Sequence, residues 1–128
     1  MNIKLKDDLP FVEIELIHNG RKITIDNALI DTGSASTIIA TDIALELNLG
    51  PSPEDELIRV RGVGGSEYVY EKNIDEIKLG STKVSDLTID VGAMNYGFAI
   101  DAIIGMNFLT SARLTIDMDR MAIYKAKH

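Results

Sequence analysis

The chain has no cysteine, no tryptophan, only 3 prolines and an aromatic content of 5%. Without cysteine there is no disulfide framework, no thiolate metal site and no thiol nucleophile, although this leaves the compartment open. Positive charge is also scarce. Against 20 Asp and Glu stand 13 Lys and Arg, a net charge of -7, which repels a phosphate backbone and an anionic membrane surface alike. Neither nucleic acid nor membrane is an expected partner. No apolar run approaches the ~20 residues of a membrane span, and the start, Met1-Asn2-Ile3-Lys4-Leu5-Lys6-Asp7-Asp8, lacks the apolar centre of a secretory signal. The expectation is a soluble, cytoplasmic protein. With aromatics so few, the hydrophobic content of 45% falls on Ile, Leu and Val, a composition that favours strands. A length of 128 residues suits one core, so a single domain over 1–128 is expected.

What is present concentrates in Ala28-Leu29-Ile30-Asp31-Thr32-Gly33-Ser34-Ala35-Ser36-Thr37-Ile38-Ile39. An apolar run drives into an acid, a hydroxyl, a glycine and another hydroxyl, then resumes, so a strand delivers one carboxylate to a tight turn. Asp-Thr-Gly alone spells many surface turns. The flanks Leu29-Ile30 and Ile38-Ile39 point instead to burial on both sides, where an ionised acid is costly unless hydrogen-bonded. Thr32 and Ser34 offer hydroxyls for that purpose, and Ser34 is expected to donate to Asp31.

Around this stretch the pattern is of strands. Phe11 to His18 alternates, with Val12, Ile14 and Leu16 on one face and Glu13 and Glu15 on the other. Asn19-Gly20 reads as a two-residue hairpin turn, and Arg21 to Ile30 returns as the partner strand. His18 is expected to be a solvated strand-end residue and His128 to lie in a frayed tail, so neither is read as a metal ligand. Ser36 to Ala40 gives a short strand, then Thr41 caps a helix over Ile43 to Asn48, with Asp42 at its positive start. Pro51 to Glu56 is a surface loop. Leu57 to Lys72 is a hairpin around Gly64-Gly65. Ile74 to Leu79 and Val84 to Val91 pair across Gly80-Ser81, Gly92 to Gly97 is a loop, and Ala99 to Ile104 is a buried strand. Arg113 to Met118 and Met121 to Lys125 close the chain as a hairpin. The glycines of Gly62-Val63-Gly64-Gly65 make no nucleotide fingerprint, because no helix follows them.

The first stretch, taken with Ile103-Ile104-Gly105-Met106-Asn107-Phe108-Leu109 far downstream, resembles the paired signature of retroviral-type (retropepsin-like) aspartic proteases. The likeness runs from about Phe11 to Ile116. It implies an all-β, mostly antiparallel fold with one or two short helices, closed and β-barrel-like, in which an apolar-apolar-Gly strand runs into a short helix beneath the acid loop. By this resemblance Asp31, Thr32 and Gly33 are the catalytic residues, with Gly33 donating an N–H to the carboxylates and Thr32 bracing the loops across a dimer axis. Ser34, Ala35, Val63, Gly64, Gly65 and Ile104 are the substrate-binding residues, with the glycine-tipped hairpin as a flap. A plain structural hairpin is the other reading of that element. Met106 stands where viral members often carry Arg, and the closing hairpin extends past the second motif, so the dimer interface is expected to depart from interleaved termini.

Peptide hydrolysis by carboxylates needs two of them on one water, one as base and one as acid. One Asp-Thr-Gly motif supplies only half of this, and a twofold homodimer is the simplest completion. The expected activity is that of an aspartic endopeptidase acting on a peptide or protein, with no metal and no cofactor. A catalytically silent binding or dimerisation module on the same fold is the alternative. Asp101 as a second acid lacks the Thr/Ser-Gly turn that would hold it, and phosphoryl transfer to an Asp lacks the accompanying acidic and Lys/Thr motifs.

Overall fold

The computed structural model describes residues 1–62, 65–94 and 99–126, with the backbone alone for 59–62 and 65–67. Alternation of apolar and polar residues makes β2 (Leu9–His18) and β3 (Arg21–Ile30) antiparallel partners. Between them, Asn19 (φ 48) and Gly20 (φ 78) both take the left-handed conformation that a tight hairpin of matching twist requires. A short β1 (Lys4–Lys6), which the sequence pattern did not announce, pairs with the start of β2.

Beyond the acid loop come β4 (Ile38–Ala40) and α1 (Thr41–Glu46). The expected cap is displaced by one residue. Ala40 occupies the cap position with extended backbone and gives no side-chain bond, so Thr41 is already the first helical residue. The helix also ends earlier than expected, because Asn48 turns to φ 58 and Leu49 N–H folds back to the Ala44 carbonyl at 2.8 Å.

The strands β5 (Leu57–Gly62) and β6 (Gly65–Leu79) form the glycine-tipped hairpin, paired out to Gly62 and Gly65. The expected tip residues Val63 and Gly64 lie outside the described residues, as does His128. Instead of ending at Lys72, β6 continues through to Leu79, because β7 (Thr82–Gly92) pairs with it in one register from Tyr70 onward, skipping only Asp75 and Asp86, where Asp86 turns to φ 54. The buried strand expected over Ala99 to Ile104 shortens to β8 (Ala102–Ile104), followed by α2 (Met106–Ser111) and the hairpin of β9 (Leu114–Asp117) with β10 (Ala122–Lys125).

One sheet takes the order β1-β2-β3-β8-β4-β7-β6-β5, and a further β2–β6 pairing closes it into a ring. Strands make up 56% of the chain, mostly antiparallel, with two short helices, as expected. The ring falls short of a regular barrel, since β4 and β8 have only 3 residues each. Parallel pairing appears in two places, β3 with β8 and β4 with β7, and both flank the acid loop.

Alternation along these strands sorts the apolar residues into two clusters. Val12, Ile14, Ile30, Ile39, Ile104 and Phe108 join a large core, while Phe11, Ile38, Ile100 and Ile103 form a second one with Leu29 and Met94 against it. Each fully buried side chain of this size contributes roughly 1.5–3 kcal/mol. The N-terminus is tied to the last strand: Ile3 N–H donates to the Met121 carbonyl at 2.8 Å and Ile123 N–H to the Met1 carbonyl at 2.9 Å. His18 corrects its expected solvation. Its side chain is only 13% exposed, and Nδ1 accepts from the Asp75 N–H at 3.3 Å. Among the described residues no helix is long and apolar enough to cross a membrane.

Candidate active site

Pairing of β3 with β8 carries Asp31 to the edge of the large core: Leu29 lies beside Ile103 and Ile30 beside Ile104. Asp31 N–H extends that ladder by one step, donating to the Ile104 carbonyl at 3.0 Å. The chain then turns back on itself. Ser34 N–H donates to the Asp31 carbonyl at 3.2 Å, and Gly33 N–H donates to Asp31 Oδ1 at 2.9 Å. An amide aimed at a carboxylate oxygen is a charge-assisted bond that fixes the side chain's direction. Of the flanks expected to be buried, Ile30, Ile38 and Ile39 are 6%, 9% and 0% exposed, while Leu29 is only half-buried. The loop itself is not buried in the single chain, since Asp31 is half-buried and Thr32, Gly33 and Ala35 are exposed.

The second motif holds this loop from below. Met106 N–H donates to the Ser34 carbonyl at 2.7 Å and Asn107 N–H to the Ala35 carbonyl at 3.1 Å. Gly105 is where the two backbones meet, for a Cβ there would stand 2.1 Å from the Ser36 carbonyl oxygen. Thr37, which is fully buried, donates from Oγ1 to Asn107 Oδ1 at 2.7 Å and accepts from Gly105 N–H at 3.2 Å. Asn107 Nδ2 in turn donates to the Thr88 carbonyl of β7 at 2.9 Å. One side chain thus joins α2, the acid loop and β7.

A family model for aspartyl proteases matches residues 12–108. The chain belongs to the aspartyl protease family. In fold it is similar to a retropepsin-like aspartic protease from Rickettsia conorii, with 16% identity, 92% of each chain covered and a TM-score of 0.64. No curated protein sequence matches it.

Within this aspartyl protease fold, two sequence expectations change. Ser34 Oγ donates to the Ser36 carbonyl at 2.7 Å and so braces the loop backbone rather than the Asp31 carboxylate. Ile104, expected against substrate, is 0% exposed and belongs to the large core; its carbonyl serves Asp31 and its side chain faces away. Strand alternation gives the opposite face to Ile103, which with Leu29 and Ile38 lies on the Asp31 side. Leu29 and Ile38 were read as buried flanks and Ile103 as part of the second motif, none of them for the face it shares with Asp31, although the period of two contained the signal. Asp101 sits apart from Asp31's loop in role: its N–H donates to the Asn27 carbonyl and its carbonyl accepts from Ala40. Among the described residues no three His, Cys, Asp or Glu converge where a metal could be held.

One acid beside the loop went unread. Asp90 of β7 is 7% exposed, and its N–H donates to the Thr37 carbonyl at 2.9 Å. Burial pushes its carboxyl above the usual carboxylate range, and the negative charge of Glu71 adds to this while the Ser36 side chain opposes it.

Proposed function

We propose that the chain is an aspartic endopeptidase that acts as a twofold homodimer, with Asp31 of each protomer facing one water. The observation that carries this reading is the single Asp31 carboxylate, directed by Gly33 N–H at 2.9 Å on an exposed loop. Two carboxylates a few ångströms apart do not both ionise at moderate pH, so the pair keeps one proton. The ionised member takes a proton from the water as its oxygen attacks the peptide carbon. The protonated member gives its proton to the carbonyl oxygen, and collapse of the resulting diol expels the amine as it is protonated. Thr32, exposed at the loop tip, braces one loop against the other. The hairpin ending at Gly62 and Gly65 closes over the peptide, and Leu29, Ile38 and Ile103 receive apolar side chains beside the scissile bond.

The test compares wild type with Asp31→Asn on a peptide library. The amide is nearly isosteric, so the fold is kept while the shared proton is lost. Turnover by wild type and none by the variant is the expected result. Turnover retained in Asp31→Asn removes the assignment, and a wild type that binds peptides without cleaving them establishes the silent module instead.

A further inference from the structure

The sheet aligns one residue from each of six adjacent strands into a row: Phe11, Leu29, Ile103, Ile38, Asp90 and Glu71. Each is the direct partner of the next, through β2–β3, β3–β8, β8–β4, β4–β7 and β7–β6. Partners in register point to the same side of a sheet. Leu29 also precedes Asp31 by two residues and so shares its side. The row is therefore a wall running away from the Asp31 carboxylate, apolar at first and acidic at its outer end.

That acidic end joins one nearly buried carboxylate, Asp90, to an exposed one, Glu71. Ile89 and Val91 are 1% and 0% exposed in the large core, which turns Asp90 between them to the opposite face, where it keeps 7% of its surface. Glu71 is its direct cross-strand partner, an arrangement of like charges that destabilises a sheet. Among the described residues no lysine or arginine compensates Asp90. The influences on its carboxyl are burial, the Ser36 side chain and Glu71. Lys72, the neighbouring cation in sequence, is engaged elsewhere, with Nζ 2.9 Å from Asp55 Oδ2. A nearly buried carboxylate with a second acid beside it costs stability unless a cation completes it.

We infer that Asp90 and Glu71 form an outer subsite that takes a lysine or arginine side chain of the substrate peptide. This rests on the protease reading and names the substrate class for it: peptides apolar at the scissile bond and basic further out. Strands stand about 4.8 Å apart, so Asp90 lies roughly 10 to 14 Å along the row from Ile103 and Leu29. An extended peptide advances about 3.3 Å per residue. The basic residue accordingly falls some three or four residues from the scissile bond, on either side of it in a symmetric dimer. The chain's net charge of -7 steers such a peptide inward.

The experiment separates this subsite from catalysis. Peptides with lysine or its uncharged counterpart norleucine at each position in turn are titrated into the Asp31→Asn protein, which reads binding without turnover. Three or four residues from the scissile bond, on either side, lysine should bind about tenfold more tightly, a difference near 1.4 kcal/mol. The preference should fade in Asp31→Asn carrying Asp90→Asn and Glu71→Gln, and weaken with added salt. Equal binding of lysine and norleucine peptides at every position, absence of binding by either, or a preference that survives the double change overturns the subsite. Hydrolysis of the same peptides by the wild-type chain is scored separately. Its absence would end the protease reading, while binding would still decide the subsite.

Discussion

Thr37 and Asn107, 70 residues apart in the chain, share a hydrogen bond of 2.7 Å in which the buried hydroxyl donates to the amide oxygen. The same hydroxyl oxygen accepts from Gly105 N–H, so a single side chain ties the strand after the acid loop to the start of α2. Asp31 is held at the far end of this tie. Its N–H bonds the Ile104 carbonyl, and the residues that follow it bond Met106 and Asn107.

Thr37→Val keeps the shape and removes the hydroxyl, leaving Gly105 N–H without its acceptor and Asn107 Oδ1 with the Phe108 N–H alone as donor. The expected cost is about 1–3 kcal/mol, measured as a drop in urea midpoint at constant slope. Gly105→Ala should be worse, about 3 kcal/mol or more, since its methyl would collide with the fixed Ser36 carbonyl rather than with a movable side chain. An alanine variant as stable as wild type would mean that the two motifs are not locked together at this point.

How much of this was legible depended on sequence distance. The hairpin from β2 to β3 follows from alternation and an Asn-Gly turn, all within neighbouring residues, and its bounds were read almost to the residue. Polar Lys72 and Asn73 looked like a break between strands, yet β6 runs through them because its course is set by the register with β7. The acid loop was visible as a motif. By resemblance the strand and helix beneath it were visible too, but not the individual ties: the pairing of Ile38 with Asp90, and the contact between Thr37 and Asn107, join segments that no local period connects. Ile104 was misplaced for a simpler reason. The second motif was read as a unit, whereas a strand sends Ile103 and Ile104 to opposite faces.

Ser34→Ala tests the loop's internal bracing. Because the Ser34 hydroxyl donates to the Ser36 carbonyl, its loss should lower stability by roughly 0.5–1.5 kcal/mol. The pH profile of kcat/KM should keep its position, scaled at most by a change in loop order. A displaced upper limb would mean that the hydroxyl turns to Asp31 when substrate is bound.

On the proposed homodimer reading, each chain supplies half of the catalytic pair and activity depends on assembly. Specific activity should fall on dilution below the dimer dissociation constant, so that the rate drops faster than linearly with protein concentration. Progress curves over a wide dilution series, with sedimentation at the same concentrations, measure both sides of this. A rate strictly proportional to concentration through the range in which sedimentation reports monomers would place the complete site within one chain.

Two carboxylates give stability opposite dependences on pH. The hydrogen bond from Lys72, at 2.9 Å, and the Ser52 N–H, at 2.7 Å, hold Asp55 below the usual carboxylate range. Its folded pKa lies below the unfolded one, so its contribution is present above the unfolded value and lost as pH falls through the folded value. Burial first, and then Glu71, push Asp90 the other way. Between its unfolded pKa and the higher folded one the native state holds the extra proton, so stability falls as pH rises through that window. Asp55→Asn should therefore lower the melting temperature at neutral pH and change it little in strong acid. Asp90→Asn should raise it at neutral pH, where the wild-type carboxylate is charged in its buried place, with the gain vanishing in acid as wild-type Asp90 takes up its proton. Melting curves of both variants against wild type from acid to neutral pH supply the comparison. A neutral-pH loss in Asp90→Asn that persists unchanged in acid would show that its side chain is held by bonds the amide cannot make, and not burdened by its charge.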